Sequence, residues 1–285
     1  MEQGEIALSD REFARVKARV YAQAGISLSD AKRTLVVSRL SKVVRQLRLN
    51  SFDAYIDYLE RGGSEKDSQD FVNSLTTNLT RFYREDHHFD HLVTYVGQLM
   101  QGRPRVGPDG KPKLRIWSAG CSTGQEPYTI GMCLLAAHPE LKRWDFKILA
   151  TDIDTNVLAK AATGVYPESE LGGLSPERAR VFERSGGEIR VPMQVRSLVS
   201  FKPLNLMTAW PFKGPFDAVF CRNVAIYFDK PTQGELFARL GKMLVSDGFL
   251  YIGHSENVGS GGEGFRLVGK TIYQTKLTQK TRDAA

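Results

Sequence analysis

Short apolar segments alternate with helix-like segments over the C-terminal part of the chain. "LRIWSA" is followed by "EPYTIGMCLLAA" and "FKILATD", and "FDAVFCR" is followed by "QGELFARLGKML" and "GFLYIGHS". Strands and helices that alternate in this way build a parallel sheet with helices on both faces. The tail "FRLVGKTIYQTKL" is typical of one or two closing strands. Residues 114–285 are therefore expected to form an α/β domain.

Residues 1–100 follow a helical pattern instead. Ser9 and Glu12 have the spacing of a capping box, and Phe13, Val16 and Val20 then recur at helical intervals. Further segments of this kind follow, and none has the alternation of a strand. This region is expected to be a small all-α domain. A stretch rich in glycine and proline, residues 101–113, predicts a linker between the two domains.

The stretch from about residue 171 to residue 201 interrupts the strand–helix alternation. It ends in "GGEIRVPMQVRSLVSF", where strand-like apolar residues stand among glycines and arginines. This pattern predicts a small antiparallel β insertion between two units of the main sheet.

Composition restricts where the chain can act and what it can bind. The chain has no run of about 18 apolar residues for a membrane span, and "MEQGEIALSDREF" lacks the features of a secretory signal. Cys121, Cys133 and Cys221 have no paired or metal-like spacing, which favours reduced thiols in a cytoplasm. The net charge of +7 favours an acidic partner: nucleic acid, anionic membrane or acidic protein.

A glycine loop follows the first apolar strand. Gly120 and Gly124 flank three small residues, without the spacing of a dinucleotide site or the lysine of a P-loop. Glu126 follows the loop, and Asp152 ends the next strand, where an acidic residue commonly binds ribose hydroxyls. This set suits S-adenosylmethionine, which carries a nucleoside and an amino acid but no phosphate. The alternative is that these are ordinary loop residues of an α/β protein.

Four long stretches carry a family resemblance. "NSLTTNLTRFYREDHHF", "WSAGCSTGQEPYTI", "LATDIDTNVL" and "FDAVFCRNVAIYFD" resemble segments of the chemotaxis receptor methyltransferases, the CheR family, and the resemblance extends from about Ser9 to Leu277. It implies a Rossmann-like S-adenosylmethionine-dependent methyltransferase fold. It also implies methyl transfer to glutamate side chains on the cytoplasmic helices of chemoreceptors, which gives glutamyl methyl esters.

The resemblance also implies the site residues. The cofactor-contacting positions of the family match Asn78, Thr80, Arg84, Glu126, Asp152, Asn205, Leu206, Arg222 and Asn223. Arg84 and Tyr227 match residues near the methyl transfer. Other readings remain open at this point: Arg84 in a surface ion pair with Glu85 or Asp86, Tyr227 as a core aromatic, and Arg222 with Asn223 as caps of a strand end.

The expected reaction needs little proton transfer. A glutamate side chain with a pKa of about 4.3 is already anionic near neutral pH, so neither a general base nor a metal is expected. His87, His88 and His91 include an i, i+4 pair that suits a metal, although a solvated helix face or packing is the more common role. Cys121 is expected to be a small packed residue, and the role of His254 stays open.

A basic helix is the expected docking site for the receptor. No acidic residue lies between Asp30 and Asp53, and Lys42, Arg45 and Arg48 fall opposite the apolar stripe. Arg39 falls inside that stripe and is expected to extend its guanidinium towards solvent or the cleft. The β insertion is short, so a lid role is favoured over the binding of a receptor tail peptide by strand addition, which occurs in some family members.

Two rival functions are less consistent with the sequence. A nucleic-acid methyltransferase acting on a base nitrogen often has an Asn-Pro-Pro-Tyr type motif at the fourth strand, where this chain has Arg222, Asn223 and Val224. The basic run also lacks aromatic residues for base stacking. A protein that only binds the cofactor as a sensor could lose Arg84 or Tyr227, whereas this chain has both residues. The chain is expected to be monomeric.

Overall fold

The computed structural model describes residues 6–102 and 104–276. The chain begins with a helical unit, whose four helices are α1 (Asp10–Ala24), α2 (Arg33–Gln46), α3 (Phe52–Arg61) and α4 (Glu65–Leu75). The predicted capping box is present, because the Ser9 side chain accepts a hydrogen bond from the Glu12 N–H and the Glu12 carboxylate accepts one from the Ser9 N–H. Phe13, Leu40 and Phe71 lie in the core of this unit.

The helical unit has its own core, which ends at Leu75. The next helix, α5 (His87–Gln101), packs against the α/β part of the chain, and its Phe89, Leu92 and Val96 belong to the core there. The predicted all-α domain extends to residue 100 because α5 is amphipathic, and amphipathicity does not show which layer a helix covers. The predicted linker begins where α5 ends, and the predicted domain limits at residues 1 and 285 lie outside the described residues.

A seven-stranded mixed sheet forms the centre of the α/β part, which confirms the predicted fold class. Its strands are β1 (Lys113–Ala119), β2 (Asp145–Asp152), β6 (Val199–Pro203), β7 (Phe216–Cys221), β8 (Leu244–Ile252), β9 (Phe265–Gly269) and β10 (Ile272–Thr275). They lie in the order β6-β2-β1-β7-β8-β10-β9. The first five in this order are parallel, β10 pairs antiparallel with β8, and β9 pairs antiparallel with β10.

Helices connect the parallel strands. They are α6 (Gln125–Ala137), α7 (Thr155–Thr163) and α10 (Lys230–Lys242), and two short helices, α8 (Pro176–Ala179) and α9 (Met193–Arg196), lie between α7 and β6. The closing strands β9 and β10 match the predicted tail, whose last residue, Leu277, lies outside the described residues.

The β insertion is present, but its limits differ from the predicted ones. Its three antiparallel strands are β3 (Val165–Pro167), β4 (Glu183–Ser185) and β5 (Glu188–Arg190), in the order β3-β5-β4. The insertion thus begins before residue 171. The last predicted residues, near Phe201, belong instead to β6, the edge strand of the main sheet. A short strand pattern does not show which sheet the strand joins, and this caused the error.

None of the helices in the described parts of the chain is both long and apolar enough to cross a bilayer.

Candidate functional site

The chain order reverses at β1, and this reversal creates the site. From β1 the chain proceeds outward through β2 and β6 on one side, and later through β7 and β8 on the other. Ligands of open α/β sheets bind at such a point, beyond the carboxyl ends of the strands. Gly120 follows β1 and Arg222 follows β7, so both lie at this edge.

Backbone conformation explains why glycine stands at two positions of the loop after β1. Gly120 and Gly124 have φ of 81° and 94°, which is backbone that other residues rarely adopt. A Cβ at Gly120 would collide with the Val224 side chain, and a Cβ at Gly124 would lie 2.8 Å from that of Ala161. The glycines therefore allow the loop to fold tightly against its own neighbours at the strand end.

A cavity of about 270 Å³ lies between the helical unit and this edge of the sheet. All ten predicted site residues line it, namely Asn78, Thr80, Arg84, Glu126, Asp152, Asn205, Leu206, Arg222, Asn223 and Tyr227. They come from five separate parts of the sequence. The described residues of the β insertion, from Val165 to Arg190, contribute nothing to the lining, so the structure offers no support for the favoured lid role.

Asp152 ends β2 and is buried at the cavity wall. Its two carboxylate oxygens accept hydrogen bonds from the N–H of Ser122, at 2.7 Å, and of Asp154, at 3.0 Å. Burial raises the pKa of Asp152, and these backbone donors oppose that rise. Each oxygen keeps a lone pair, so the carboxylate is fixed in position and still able to accept from a ligand hydroxyl.

Asp154 joins this strand end to the helical unit. Its carboxylate caps α7 through the Asn156 N–H, and it also accepts from Thr76 Oγ1 at 2.7 Å and Asn78 Nδ2 at 2.8 Å. On the other side of the cavity, Asn205 Nδ2 donates to the Gln23 carbonyl at 2.6 Å. These hydrogen bonds join the two walls of the cavity, which are the helical unit with the segment after α4 and the loops of the sheet.

Arg222 is shared between two carboxylates. Its Nη1 lies 3.1 Å from Glu126 Oε2, and its Nη2 lies 3.4 Å from Glu85 Oε2. Burial raises the pKa of Glu126 despite the nearby arginine. Burial also acts to raise the pKa of Glu85, but the charge of Arg222 and a hydrogen bond from His254 outweigh it and lower that pKa. Glu126 lines the cavity and Glu85 does not, so the carboxylate of Glu126 is the one that a cationic ligand group can reach.

The loop after β7 is held by a buried carboxylate that the sequence analysis did not identify. Glu256 accepts hydrogen bonds from the N–H of Asn223 at 2.9 Å and of Ile226 at 3.2 Å, and also from Gly253. Burial raises the pKa of Glu256, and these donors oppose the rise. Asn223 adopts a left-handed φ of 59° in this loop. Glu256 thus fixes the backbone that places Asn223 and Tyr227 at the cavity.

Arg84 and Tyr227 lie on facing segments. Arg84 Nη1 donates to the Leu79 carbonyl at 2.9 Å, and its Nε lies 4.0 Å from Glu85 Oε1, at the limit of an ion pair. The Tyr227 hydroxyl lies 3.4 Å from the Thr77 carbonyl. Neither side chain is fully buried, so both can reach a group that enters the cavity.

The histidines of α5 pack against the sheet. His88 is fully buried with its Nε2 3.0 Å from Thr271 Oγ1, and burial lowers its pKa to about 3. His91 Nδ1 lies 2.9 Å from the Tyr251 hydroxyl. His254 is exposed and lies 3.0 Å from Glu85. Burial raises the pKa of the Cys121 thiol well above its ordinary value, so this residue acts as packing rather than as a nucleophile.

The predicted docking cations are exposed. Lys42, Arg45 and Arg48, here called the basic face, have no carboxylate within ion-pair distance among residues 6–102 and 104–276. Arg48 lies just beyond the end of α2, because the chain turns there with a left-handed φ of 56°. Arg39 extends towards the cavity as expected, and binds the carbonyls of Ser74 and Thr76.

The acidic side chains of the cavity fit one class of nucleoside ligand. Glu126 suits an ammonium group and Asp152 suits ribose hydroxyls, and the loop between Gly120 and Gly124 lacks the lysine of a P-loop. A ligand with both groups and no phosphate places the chain in the class of S-adenosylmethionine-dependent methyltransferases. Two family models match it: "CheR methyltransferase, SAM binding domain" over residues 78–274, and "CheR methyltransferase, all-alpha domain" over residues 11–76. The chain belongs to the CheR methyltransferase family.

Similar proteins agree with this assignment over nearly their whole lengths. The chain is 45% identical to chemotaxis protein methyltransferase 2 of Pseudomonas aeruginosa, covering 94% of each chain. It is 44% identical to the chemotaxis protein methyltransferase of Escherichia coli, over 94% of this chain and 92% of the relative. It is 43% identical to a probable chemotaxis protein methyltransferase of Rhizobium etli, over 90% of this chain and 96% of the relative.

Three acidic residues that organise the cavity were not predicted from the sequence. Glu85, Asp154 and Glu256 are largely buried and bind the loops or the arginine described above. Asp154 and Glu256 each follow the carboxyl end of a parallel strand, in "ATDID" and "GHSE", which is the position where acidic residues commonly act. This signal could have identified both, whereas Glu85 follows no strand.

Proposed function

We propose that the chain transfers the methyl group of S-adenosylmethionine to glutamate side chains on the cytoplasmic helices of chemoreceptors, as a cytoplasmic enzyme. The observation that carries the proposal is the cavity between the all-α unit and the carboxyl edge of the sheet, in a chain whose relatives are named chemotaxis protein methyltransferases. The products are a glutamyl methyl ester and S-adenosylhomocysteine, the thioether left when the sulfonium loses its methyl group.

The residues around the cavity have distinct roles towards the cofactor. When bound, S-adenosylmethionine supplies an electrophilic methyl group on a sulfonium. Asp152 accepts hydrogen bonds from the ribose hydroxyls, and Glu126 attracts the ammonium group of the methionine moiety. Asn205 and Leu206 contact the adenine. The remaining contacts are made by Asn78, Thr80, Arg84, Arg222 and Asn223. The burial of Asp152 and the charge balance around Arg222 support these assignments.

Arg84 and Tyr227 act on the incoming glutamate. The Arg84 guanidinium forms forked hydrogen bonds that orient the carboxylate and keep it ionised. The Tyr227 hydroxyl donates a further hydrogen bond. No side chain has to remove a proton, because the glutamate is already a carboxylate. Alignment of the reacting groups and exclusion of water contribute on the order of 7–11 kcal/mol in well-oriented pairs.

The basic face docks the receptor helix. It exposes three cations without counterions in the described part of the chain, whereas ordinary surfaces mix charges of both signs. Arg39 connects α2 to the cavity, since its Nη2 lies 3.4 Å from Thr77 Oγ1 and Thr77 lines the cavity. An acidic helix on the basic face can therefore present a glutamate to Arg84.

Charge reversal tests this docking. Arg45→Glu with Arg48→Glu is expected to raise the KM for receptor fragments and to leave the affinity for S-adenosylhomocysteine unchanged. A matched control is Lys142→Glu with Arg143→Glu, which reverses two exposed cations beside the start of β2, on the opposite edge of the sheet. The control is expected to keep the wild-type KM. Equal KM values for all three proteins would show that the basic face does not bind the receptor.

A further inference from the structure

Two exposed apolar side chains border the cavity. Seven large apolar side chains of the described residues are exposed, and of these only Leu79 and Ile226 line the cavity. Leu79 is the most exposed of the seven, at 81%, and Ile226 is 47% exposed. We call these two residues the apolar rim.

The backbone holds both residues of the apolar rim in place. The Leu79 carbonyl accepts the hydrogen bond from Arg84, and the preceding residue, Asn78, is bound to Asp154 at 2.8 Å. The Ile226 N–H donates to the buried Glu256 carboxylate at 3.2 Å. Leu79 and Ile226 thus stay in water although their backbone is fixed, and a partner that covers them removes this apolar surface from water.

We propose that the apolar rim selects which glutamates are methylated, by packing against an apolar side chain one helical turn from the target glutamate. The inference rests on the proposed function. Residues three or four apart lie on the same face of a helix. A helix whose glutamate reaches Arg84 therefore presents the side chain one turn away to the wall of the same cavity.

The cations near the apolar rim favour an acidic amphipathic helix as the partner that covers it. Arg81 is exposed and lines the same cavity as the apolar rim. Thr77 lies in the same segment and contacts Arg39, so the apolar rim lies beside α2, the helix that leads to the basic face. A helix with acidic residues for the basic face and an apolar residue beside its target glutamate satisfies both surfaces.

The test uses paired changes in enzyme and substrate. The enzymes are wild type, the double variant Leu79→Ser with Ile226→Ser, and the control Leu267→Ser. Leu267 is 60% exposed on the edge strand β9, away from the cavity. The substrates are receptor fragments in which the residue one turn from a methylated glutamate is leucine or serine. Methylation of each glutamate is followed by mass spectrometry, and affinity for S-adenosylhomocysteine by calorimetry.

Wild type and Leu267→Ser are expected to methylate the leucine fragment about tenfold more efficiently than the serine fragment, because one apolar contact is lost. The double variant is expected to lose this preference while it keeps its S-adenosylhomocysteine affinity. An equal preference in all three enzymes overturns the inference. So does self-association of wild type that the double variant lacks, since the rim would then bind a second copy. If wild type methylates no receptor glutamate, the proposed function itself fails.

Discussion

Replacement of Glu126 by glutamine tests the cofactor site through a single charge. Glu126 is 12% exposed in its side chain, accepts a hydrogen bond from Ser118 Oγ at 2.7 Å and pairs with Arg222 at 3.1 Å. Glutamine has nearly the same shape and keeps an acceptor oxygen for Arg222. The change therefore removes the charge that attracts the cofactor's ammonium group, with little change in packing.

The size of the effect follows from the contact that is lost. A hydrogen bond to a charged group contributes about 1.5–3 kcal/mol. Since each 1.4 kcal/mol changes an equilibrium constant about tenfold, the Kd for S-adenosylhomocysteine is expected to rise roughly ten- to a hundredfold. Arg222 keeps Glu85 as a counterion in the variant, so the fold is expected to be retained.

Isothermal calorimetry with S-adenosylhomocysteine measures this change, and a melting curve checks the fold. Glu85→Gln is the matched control, because Glu85 binds the same arginine, is equally exposed in its side chain and does not line the cavity. Its Kd is expected to stay near the wild-type value. If Glu126→Gln binds S-adenosylhomocysteine as tightly as wild type, the charge of Glu126 does not hold the cofactor. The same conclusion follows if both variants lose affinity to the same extent, because the loss would then come from displacement of Arg222.

Three further outcomes are expected. Arg84→Lys should lower kcat/KM for receptor about ten- to a hundredfold, because lysine lacks the guanidinium fork; unchanged initial rates would contradict this. Glu256→Gln should lower the free energy of unfolding by about 1–3 kcal/mol, because one buried backbone donor loses its acceptor, and an unaltered denaturation midpoint would argue against it. Burial raises the pKa of Glu126 and Asp152. The affinity for S-adenosylhomocysteine should therefore weaken as the pH falls from neutral and protonates these carboxylates, which a pH-independent Kd would exclude.

The strand pattern was sufficient to predict the carboxyl edge of the sheet. The apolar run of each parallel strand stops abruptly in the sequence. The side chains that follow these strands meet at the carboxyl edge of the sheet. Asp152 could be placed at this edge in this way, and Gly120 and Gly124 have positive φ in the loop there. These placements depend only on local pattern and on the geometry of parallel sheets, whereas Arg222 was identified through the family resemblance.

Features that depend on packing between distant segments could not be predicted. Whether α5 covers the helical unit or the sheet depends on contacts such as that between Phe89 and Phe220, which no periodicity encodes. The assignment of β6 to the main sheet depends on its pairing with β2. Glu85 follows no strand and has an ordinary appearance in the sequence, and only the fold shows that it is buried against Arg222.

Incubation with radiolabelled S-adenosylmethionine and receptor-containing membranes measures methyl transfer to a receptor carboxylate. Label is expected in the receptor, and mild base is expected to release it as volatile methanol, because a glutamyl methyl ester hydrolyses under these conditions. Receptor that remains unlabelled, or label that withstands base as a methylated amine does, would show that the chain does not esterify receptor glutamates.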